Sequence, residues 1–234
     1  MSNKERKLCI IPARGGSKRI PRKNIKDFLG KPIIAYSIEA AIKSELFDEV
    51  MVSTDDIEIA EVAQKYGAKV PFIRSKKNAD DFATTVDVLS EVLNEYEVLG
   101  KSFKNVCCIY PTAPFVTPEV LKEGYEKLIT DNYDSVFSVL RYSFPIQRAL
   151  KIEKGKVSMF YPEFMESRSQ DLEPSFHDAG QFYWFKPILV EEHKKLWTSN
   201  TGEIEINELN AQDIDNETDW KLAELKYELL QSTK

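Results

Sequence analysis

The chain is poor in the residues from which many enzyme centres are built. Its 234 residues include two histidines, His177 and His193, and three cysteines, Cys9, Cys107 and Cys108. So small a stock argues against a histidine-ligated metal centre and against a Ser-His-Asp triad. The cysteines lie inside apolar segments without a C-x-x-C spacing, so buried reduced thiols are expected rather than disulfides or zinc. His193 falls in the charged run EEHKK and reads as exposed. His177, next to Asp178, reads either as an acid–base pair or as a structural hydrogen bond. No apolar run reaches membrane-spanning length, and residues 1–7 are polar with no apolar core of a signal segment, so a cytoplasmic protein without a membrane partner is expected. Glycine and proline are sparse, at 9 and 11, while hydrophobic residues make up 42% and charged residues 30%, the balance of an ordinary globular chain. A net charge of −6 leaves no general footprint for nucleic acid. The opening loop matches neither G-x-G-x-x-G nor G-x-x-x-x-G-K-[ST], which argues against a dinucleotide-dependent dehydrogenase and an ordinary P-loop kinase.

Against this background one stretch stands out. An apolar run over 8–11 reads as a short buried strand and opens into IPARGGSKRIPRKN. Two adjacent glycines, Gly15 and Gly16, are followed by a cluster of cations, so that Arg14, Lys18, Arg19, Arg22 and Lys23 all stand before the next acid, Asp27. Glycines let backbone N–H groups approach a phosphate chain, and a local basic cluster in an acidic protein focuses an anion. The reading is a nucleoside triphosphate site; the alternative is a solvated basic turn.

Beyond that loop the pattern predicts a helix from Pro32 to about Lys43, a strand over 48–53, a helix over 57–66 stopped by Gly67, a strand over 69–74, and a helix from Thr84-Thr85 to about Leu99. A strand over 106–110, the rigid Pro111–Pro114 loop, a helix from Thr117-Pro118 to about Thr130 and a strand over 135–140 follow. Residues 141–177 break the alternation with clustered aromatics and a hairpin over 149–160. Aromatic enrichment suits a subunit interface, and an arm packed on its own domain is the alternative. A strand over 180–185, a helix over 187–196 and a terminal amphipathic helix with Trp220, Leu222, Leu225, Leu229 and Leu230 complete the order. Alternating strands and helices predict an α/β protein with a mainly parallel sheet. In such sheets ligands bind beyond the carboxyl ends of the strands. The basic loop, the loop after Arg74 and the Pro111–Pro114 loop all leave such ends and are expected to converge.

Asp213 and Asp215 are the metal candidates. At i and i+2 of an extended segment both carboxylates face one side while Ile214 turns inward. Mg²⁺ takes a few hard oxygen ligands and fills the rest with water or substrate phosphates. The alternative is capping of the following helix by Asp215 or Asn216.

The run IPARGGSKRIPRKNI, followed by GKPII, resembles the first motif of the CMP-sialic acid synthetases, a family of sugar-acid cytidylyltransferases. STDD at 53–56, Arg74 with its loop, YPTAPF at 110–115, GQFY at 180–183 and DID at 213–215 extend the resemblance over nearly the whole chain. VCCIYPTAPF and RSQDLEPSFHDAGQFYW are more similar to the CMP-pseudaminic acid branch. The sialic acid enzymes usually carry Gln at the position of Tyr110 and GAIY in place of GQFY.

The resemblance implies a Rossmann-like, three-layer nucleotide-diphospho-sugar transferase fold, with a mixed, mainly parallel sheet. It implies one cytidylyltransferase domain over 1–234 with 141–177 as an inserted dimerisation arm, and a cytoplasmic homodimer. The substrates would be CTP and a 2-keto-3-deoxy nonulosonic acid such as pseudaminic acid, with Mg²⁺ held by Asp213 and Asp215. Ala13, Arg14, Gly15, Gly16, Ser17, Lys18 and Lys23 would take the triphosphate, and Asn24, Arg74 and Thr85 the cytidine end. Tyr110, Thr112, Gln181 and Tyr183 would read the sugar acid, with Gln147 and Arg148 lent across the dimer. Arg14, Lys23, Asp213 and Asp215 would carry the catalysis. N-acetylneuraminate, legionaminate or Kdo as acceptor, a non-catalytic nucleotide-binding regulator, and a sugar-acid lectin are the competing readings.

Overall fold

A computed structural model describes residues 5–232, so the reading of residues 1–4 lies outside the described residues. The chain order is β1 (Lys7–Pro12), β2 (Asp27–Phe28), β3 (Lys31–Pro32), α1 (Ile33–Lys43), β4 (Glu49–Ser53), α2 (Ile57–Lys65), α3 (Thr85–Val98) and β5 (Asn105–Ile109). Then come α4 (Pro118–Thr130), β6 (Ser135–Arg141), β7 (Leu150–Glu153), β8 (Lys156–Met159), β9 (Phe176–Phe185), α5 (Ile188–Glu191), β10 (Thr201–Glu205) and α6 (Glu217–Ser232).

Among the described residues a six-stranded sheet runs β10-β6-β9-β5-β1-β4. Its neighbours are parallel except β9, which lies antiparallel to both β5 and β6. β1 is fully buried from Leu8 to Ile11 because helices cover both faces, which is why it reads as a continuous apolar run. Leu8 and Ile10 pack with Leu89 and Val92 of α3, whereas Cys9 and Ile11 pack with Ile34 and Ile38 of α1 and Ile59 of α2. The layers are therefore helix, sheet, helix. All three cysteines are free and buried, and no helix among the described residues is long and apolar enough to cross a membrane.

Local chemistry sets most of the boundaries. Asp56 caps α2 by accepting from the Ile59 N–H at 3.0 Å, and Thr84 with Asp87 forms a capping box on α3. Gly67, at φ +94°, takes the left-handed turn that ends α2.

Several expectations need correction. Residues 69–74 form one bridge, Met51 to Lys69, rather than a strand, because Pro71 removes the donor that would continue the ladder. The helix expected over 187–196 is only Ile188–Glu191. β10 was not foreseen; it is parallel to β6. In α6 the buried side is Trp220 and Ala223, with Tyr227 and Leu230 packed beside them at helical spacing, while Leu222, Leu225 and Leu229 are exposed.

Of the expected arm over 141–177, residues 142–175 leave the sheet and contain β7 and β8, while Arg141, Phe176 and His177 stay paired in it. Phe144 and Ile152 are 84% and 74% exposed, and Leu150, Val157 and Phe160 are exposed as well. These side chains do not pack on the chain's own sheet.

Candidate active site

The loops leaving β1 and β5 and the segment after Arg74 do converge. They enclose a cavity of about 660 Å³ whose wall includes Arg14, Lys18, Lys23, Arg74, Thr85 and Tyr110. Ser17, Arg19, Asn24 and Thr112 line it too. A third apolar cluster fastens this end of the molecule. Ile20 of the basic loop, Phe28, Ile33 and Phe115 pack with Ile214 and Trp220 at the start of α6. Ile214 is 1% exposed, and burying such a side chain is worth about 1.5–3 kcal/mol relative to exposing it. Its anchoring fixes the backbone on which Asp213 and Asp215 stand.

The basic loop is neutralised by acids from distant parts of the chain. Arg14 donates to the Asp80 carbonyl at 2.8 Å and to Asp81 Oδ1 at 2.9 Å, and Lys18 donates to the other oxygen of Asp81. Those bonds hold the Asp81 carboxyl below its ordinary range, Lys18 contributing most. Asp81 thus occupies the position between two cations for which an anionic ligand would compete. Arg19 meets Asp215 at 2.7 Å. Lys23 Nζ donates to the Ile214 carbonyl at 2.7 Å. Burial lowers the Lys23 pKa, and Asp215 and Asp213 partly offset that by favouring its charge.

Arg22 departs from the expected cation set. In the left-handed region at φ 56°, it turns to the 53–56 corner and binds Asp56 through Nη2 at 2.9 Å and Glu58 at 2.5 Å. Its guanidinium holds the Asp56 carboxyl down at about 2. The same corner explains Gly15, whose N–H donates to Asp55 Oδ1 at 3.0 Å. A Cβ on Gly15 would sit 2.8 Å from Asp56 Oδ2, so this glycine permits a close approach of protein to protein. Gly16 has open space on its Cβ side. Ala13, fully buried, bonds its N–H to the Ser53 carbonyl at 2.8 Å, which joins the loop's root to β4.

Asp56→Ala should lower unfolding stability by about 1–2 kcal/mol at neutral pH through loss of the cap. Because the folded pKa is depressed, that contribution is present above the ordinary carboxyl value of 3.8 and is lost as pH falls towards about 2. Urea titrations of both proteins should therefore show a gap at pH 7 that narrows below pH 4.

Part of the cavity wall is framed by buried polar groups. Asn24, 6% exposed, donates through Nδ2 to the Arg14 carbonyl at 2.9 Å. Arg74, equally buried, donates from Nε to Ser53 Oγ at 3.0 Å and from Nη2 to the Ser53 carbonyl; burial pulls its pKa down to about 10. Thr85 Oγ1 lies 3.1 Å from the Tyr110 hydroxyl.

Asp213 and Asp215 stand beside this wall, connected to it through Arg19 and Lys23. Burial and the neighbouring Asp215 both push the Asp213 carboxyl up. Asn216 caps α6 instead of Asp215: Asn216 Oδ1 accepts from the Thr218 and Asp219 N–H groups at 2.8 and 3.1 Å, and Asp219 accepts from the Asn216 N–H at 3.0 Å. Among the described residues no three His, Cys, Asp or Glu side chains form a metal cage. Two hard carboxylates are the donor type that fits Mg²⁺, which completes its shell with water and phosphate.

Other candidates lie away from the cavity. Gln181, 3% exposed, donates to the Asn210 carbonyl at 2.6 Å, and Tyr183, 4% exposed, donates to Asp178 Oδ2 at 2.6 Å. Gln147 and Arg148 are bonded within the arm, to the carbonyls of Glu173 and Ser167, each at 3.0 Å. His177 Nδ1 pairs with the Asp178 carbonyl at 2.9 Å, a structural bond and no acid–base pair with the carboxylate. Sequence reading passed over Asp81. Asp81 belongs to an acidic pair in a polar loop, but its partner Arg14 is 67 residues away and no local spacing connects them.

A sequence model of the cytidylyltransferase family matches residues 8–158. The pseudaminic acid cytidylyltransferase of Campylobacter jejuni is 44% identical over 95% of this chain and 96% of its own length. The CMP-N,N'-diacetyllegionaminic acid synthase of Legionella pneumophila is 34% identical over 96% of this chain and 97% of its own. The solved structure of CMP:2-keto-3-deoxy-manno-octonic acid synthetase complexed with CTP superposes with a TM-score of 0.70 over 97% of this chain and 99% of that one; at 18% identity the likeness is one of fold.

Proposed function

The chain belongs to the cytidylyltransferase family and is a nucleotidyltransferase, and from that premise we propose that it joins CMP to a 2-keto-3-deoxy nonulosonic acid, pseudaminic acid, releasing pyrophosphate from CTP. The observation that carries the reading is the cavity in which Arg14, Lys18 and Lys23 face Arg74 and Thr85 beside Asp213 and Asp215. The 44% identity to the Campylobacter enzyme over nearly the full length supports the choice of acid.

In this reading Arg14, Lys18 and Lys23, with the 13–17 backbone, neutralise and orient the triphosphate, displacing Asp81 from Arg14 and Lys18. Asn24, Arg74 and Thr85 hold the cytidine. The sugar's anomeric hydroxyl attacks the α-phosphorus in line as the bond to pyrophosphate breaks, and Lys23 and Arg14 stabilise the charge that builds there. Positioning and electrostatics supply most of the acceleration, so no covalent nucleophile is needed. When bound between Asp213 and Asp215, Mg²⁺ supplies charge neutralisation of the triphosphate and Lewis-acid polarisation.

Tyr110 and Thr112, on the cavity wall, face the sugar acid, and Gln181 and Tyr183 support that wall from behind. The exposed apolar side chains of the 142–175 arm pair with a second copy in a cytoplasmic homodimer, each 1–234 chain being one domain. Gln147 and Arg148, bonded only within the arm of their own chain, would serve the neighbouring site.

The test is pyrophosphate release from CTP with a panel of acceptors. Pseudaminic acid should give the highest kcat/KM, above N-acetylneuraminate, N,N'-diacetyllegionaminate and Kdo. A higher value for another member would move the acceptor assignment. Thermal stabilisation by CTP with no release under any acceptor would favour the regulator.

A further inference from the structure

A short turn delivers a carboxylate to two cations of the basic loop. Residues 79–83 cross from the 3-10 turn Lys76–Asn78 to the start of α3. Asp80 Oδ1 accepts from the Phe82 and Ala83 N–H groups, each at 2.8 Å, so this turn is closed by its own residues. Both of its ends are fixed. Glu91 of α3 accepts from the Ser75 N–H at 2.6 Å, from the Ser75 hydroxyl at 2.8 Å and from Asn78 Nδ2, while the Thr84–Asp87 capping box holds the far end. Phe82, at the tip, is 90% exposed and belongs to none of the three apolar clusters. What joins the turn to the basic loop is polar: Arg14 bonds to the Asp80 carbonyl and to Asp81, and Lys18 bonds to Asp81. Asp81 thus gives one carboxylate oxygen to each cation, as two oxygens of one phosphate would. Because the turn is closed without that side chain, the carboxylate can swing into water while the turn persists.

We propose that Asp81 is a resident counter-anion of the basic loop, which yields Arg14 and Lys18 to the incoming triphosphate and retakes them as pyrophosphate departs, hastening product release and lowering affinity. The inference rests on the basic loop holding the triphosphate, as proposed above. Pyrophosphate held through several contacts gives them up singly, and a carboxylate on the same wall captures each freed cation before the phosphate returns. An incoming ligand must also meet the open state, so its apparent dissociation constant rises by the reciprocal of that state's fraction. Exposed ion pairs are screened by water, which keeps the open fraction at about 0.1–0.3.

The probe is inorganic pyrophosphate at fixed Mg²⁺, since it carries neither base nor sugar. Asp81→Asn should lower its Kd by about three- to tenfold in isothermal titration calorimetry. Its dissociation, read from ³¹P exchange line shapes, should slow by a similar factor, and product inhibition by pyrophosphate should tighten in parallel. In a Lys18→Gln background Asp81 has lost one partner, so the same substitution should gain markedly less, as coupled groups require. An unchanged or raised Kd in Asp81→Asn, a gain confined to the association rate, or an equal gain in the Lys18→Gln background would overturn the proposal. A wild-type protein that binds no pyrophosphate, or binds it no better than Lys18→Gln does, would instead overturn the reading of the basic loop as the triphosphate site.

Discussion

Lys23→Ala is expected to lower kcat/KM for CTP by about 10²–10³-fold, the range seen when one donor to a developing anionic charge is removed, with unfolding by denaturant unchanged. Lys23 begins the 3-10 turn Lys23–Ile25, and its side chain reaches across 191 residues of sequence to the Ile214 carbonyl. It belongs to none of the three apolar clusters, so its loss removes no core contact. What it does remove is the half-buried cation nearest both halves of the site, the basic loop and the Asp213/Asp215 segment. Its depressed pKa adds a second reading of the same role. Turnover should decline as pH rises through the Lys23 pKa, at lower pH than an ordinary lysine would give. Lys23→Arg should move that limb upward while retaining part of the activity, because a guanidinium stays charged but has a different donor geometry. Activity of purified Lys23→Ala within a few-fold of the wild type would refute the assignment.

The second large effect concerns the carboxylate pair. Asp213→Asn and Asp215→Asn should each reduce turnover at fixed Mg²⁺ by about 10²–10³-fold, corresponding to several kcal/mol of lost charge stabilisation. The two variants should also need more Mg²⁺ for half-maximal rate, and their Mn²⁺ affinity, read by electron paramagnetic resonance with the nonhydrolysable α,β-methylene analogue of CTP present, should fall in parallel. The α6 cap belongs to Asn216 and Asp219, so neither substitution should unfold the helix that follows. A chelator should abolish wild-type turnover, and added Mg²⁺ should restore it. Unaltered metal dependence in both variants would separate these residues from any metal role and leave Arg19 as the partner that explains Asp215.

The sequence exposed the parts of this fold whose determinants are local. β1 was visible because burial on both faces leaves an uninterrupted apolar run, and α2, α3 and α4 because Asp56, Thr84 and Thr117 cap them. Elements that depend on partners far along the chain were not. β10 carries Glu203 and Glu205 on its exposed side and shows only Gly202 and Ile204 to the core, a two-residue alternation too brief to distinguish from a loop. The antiparallel course of β9 is set by its pairing with β5 and β6, since residue periodicity carries no sign of direction. In α6 three leucines suggested one buried face, but Phe28, Phe115 and Ile214 select the neighbouring face, that of Trp220 and Ala223.

The same division runs through the site. Loops at the carboxyl ends of parallel strands had to meet, so the crevice was legible, and so was the basic loop on its wall. The acids that neutralise the loop were not, because Asp81 and Asp215 reach it only through the tertiary fold. Five clustered cations looked uniformly available for an anion. The structure separates Arg22, which braces the 53–56 corner, from Arg14, Lys18 and Lys23, which line the cavity.

The most direct test of the central claim is ³¹P nuclear magnetic resonance of CTP, Mg²⁺, pseudaminic acid and the purified protein. Transfer of the α-phosphoryl group predicts that the three CTP resonances give way to free pyrophosphate and one phosphodiester in equal amounts. Release of orthophosphate, or unchanged CTP in the presence of the acid, would contradict it.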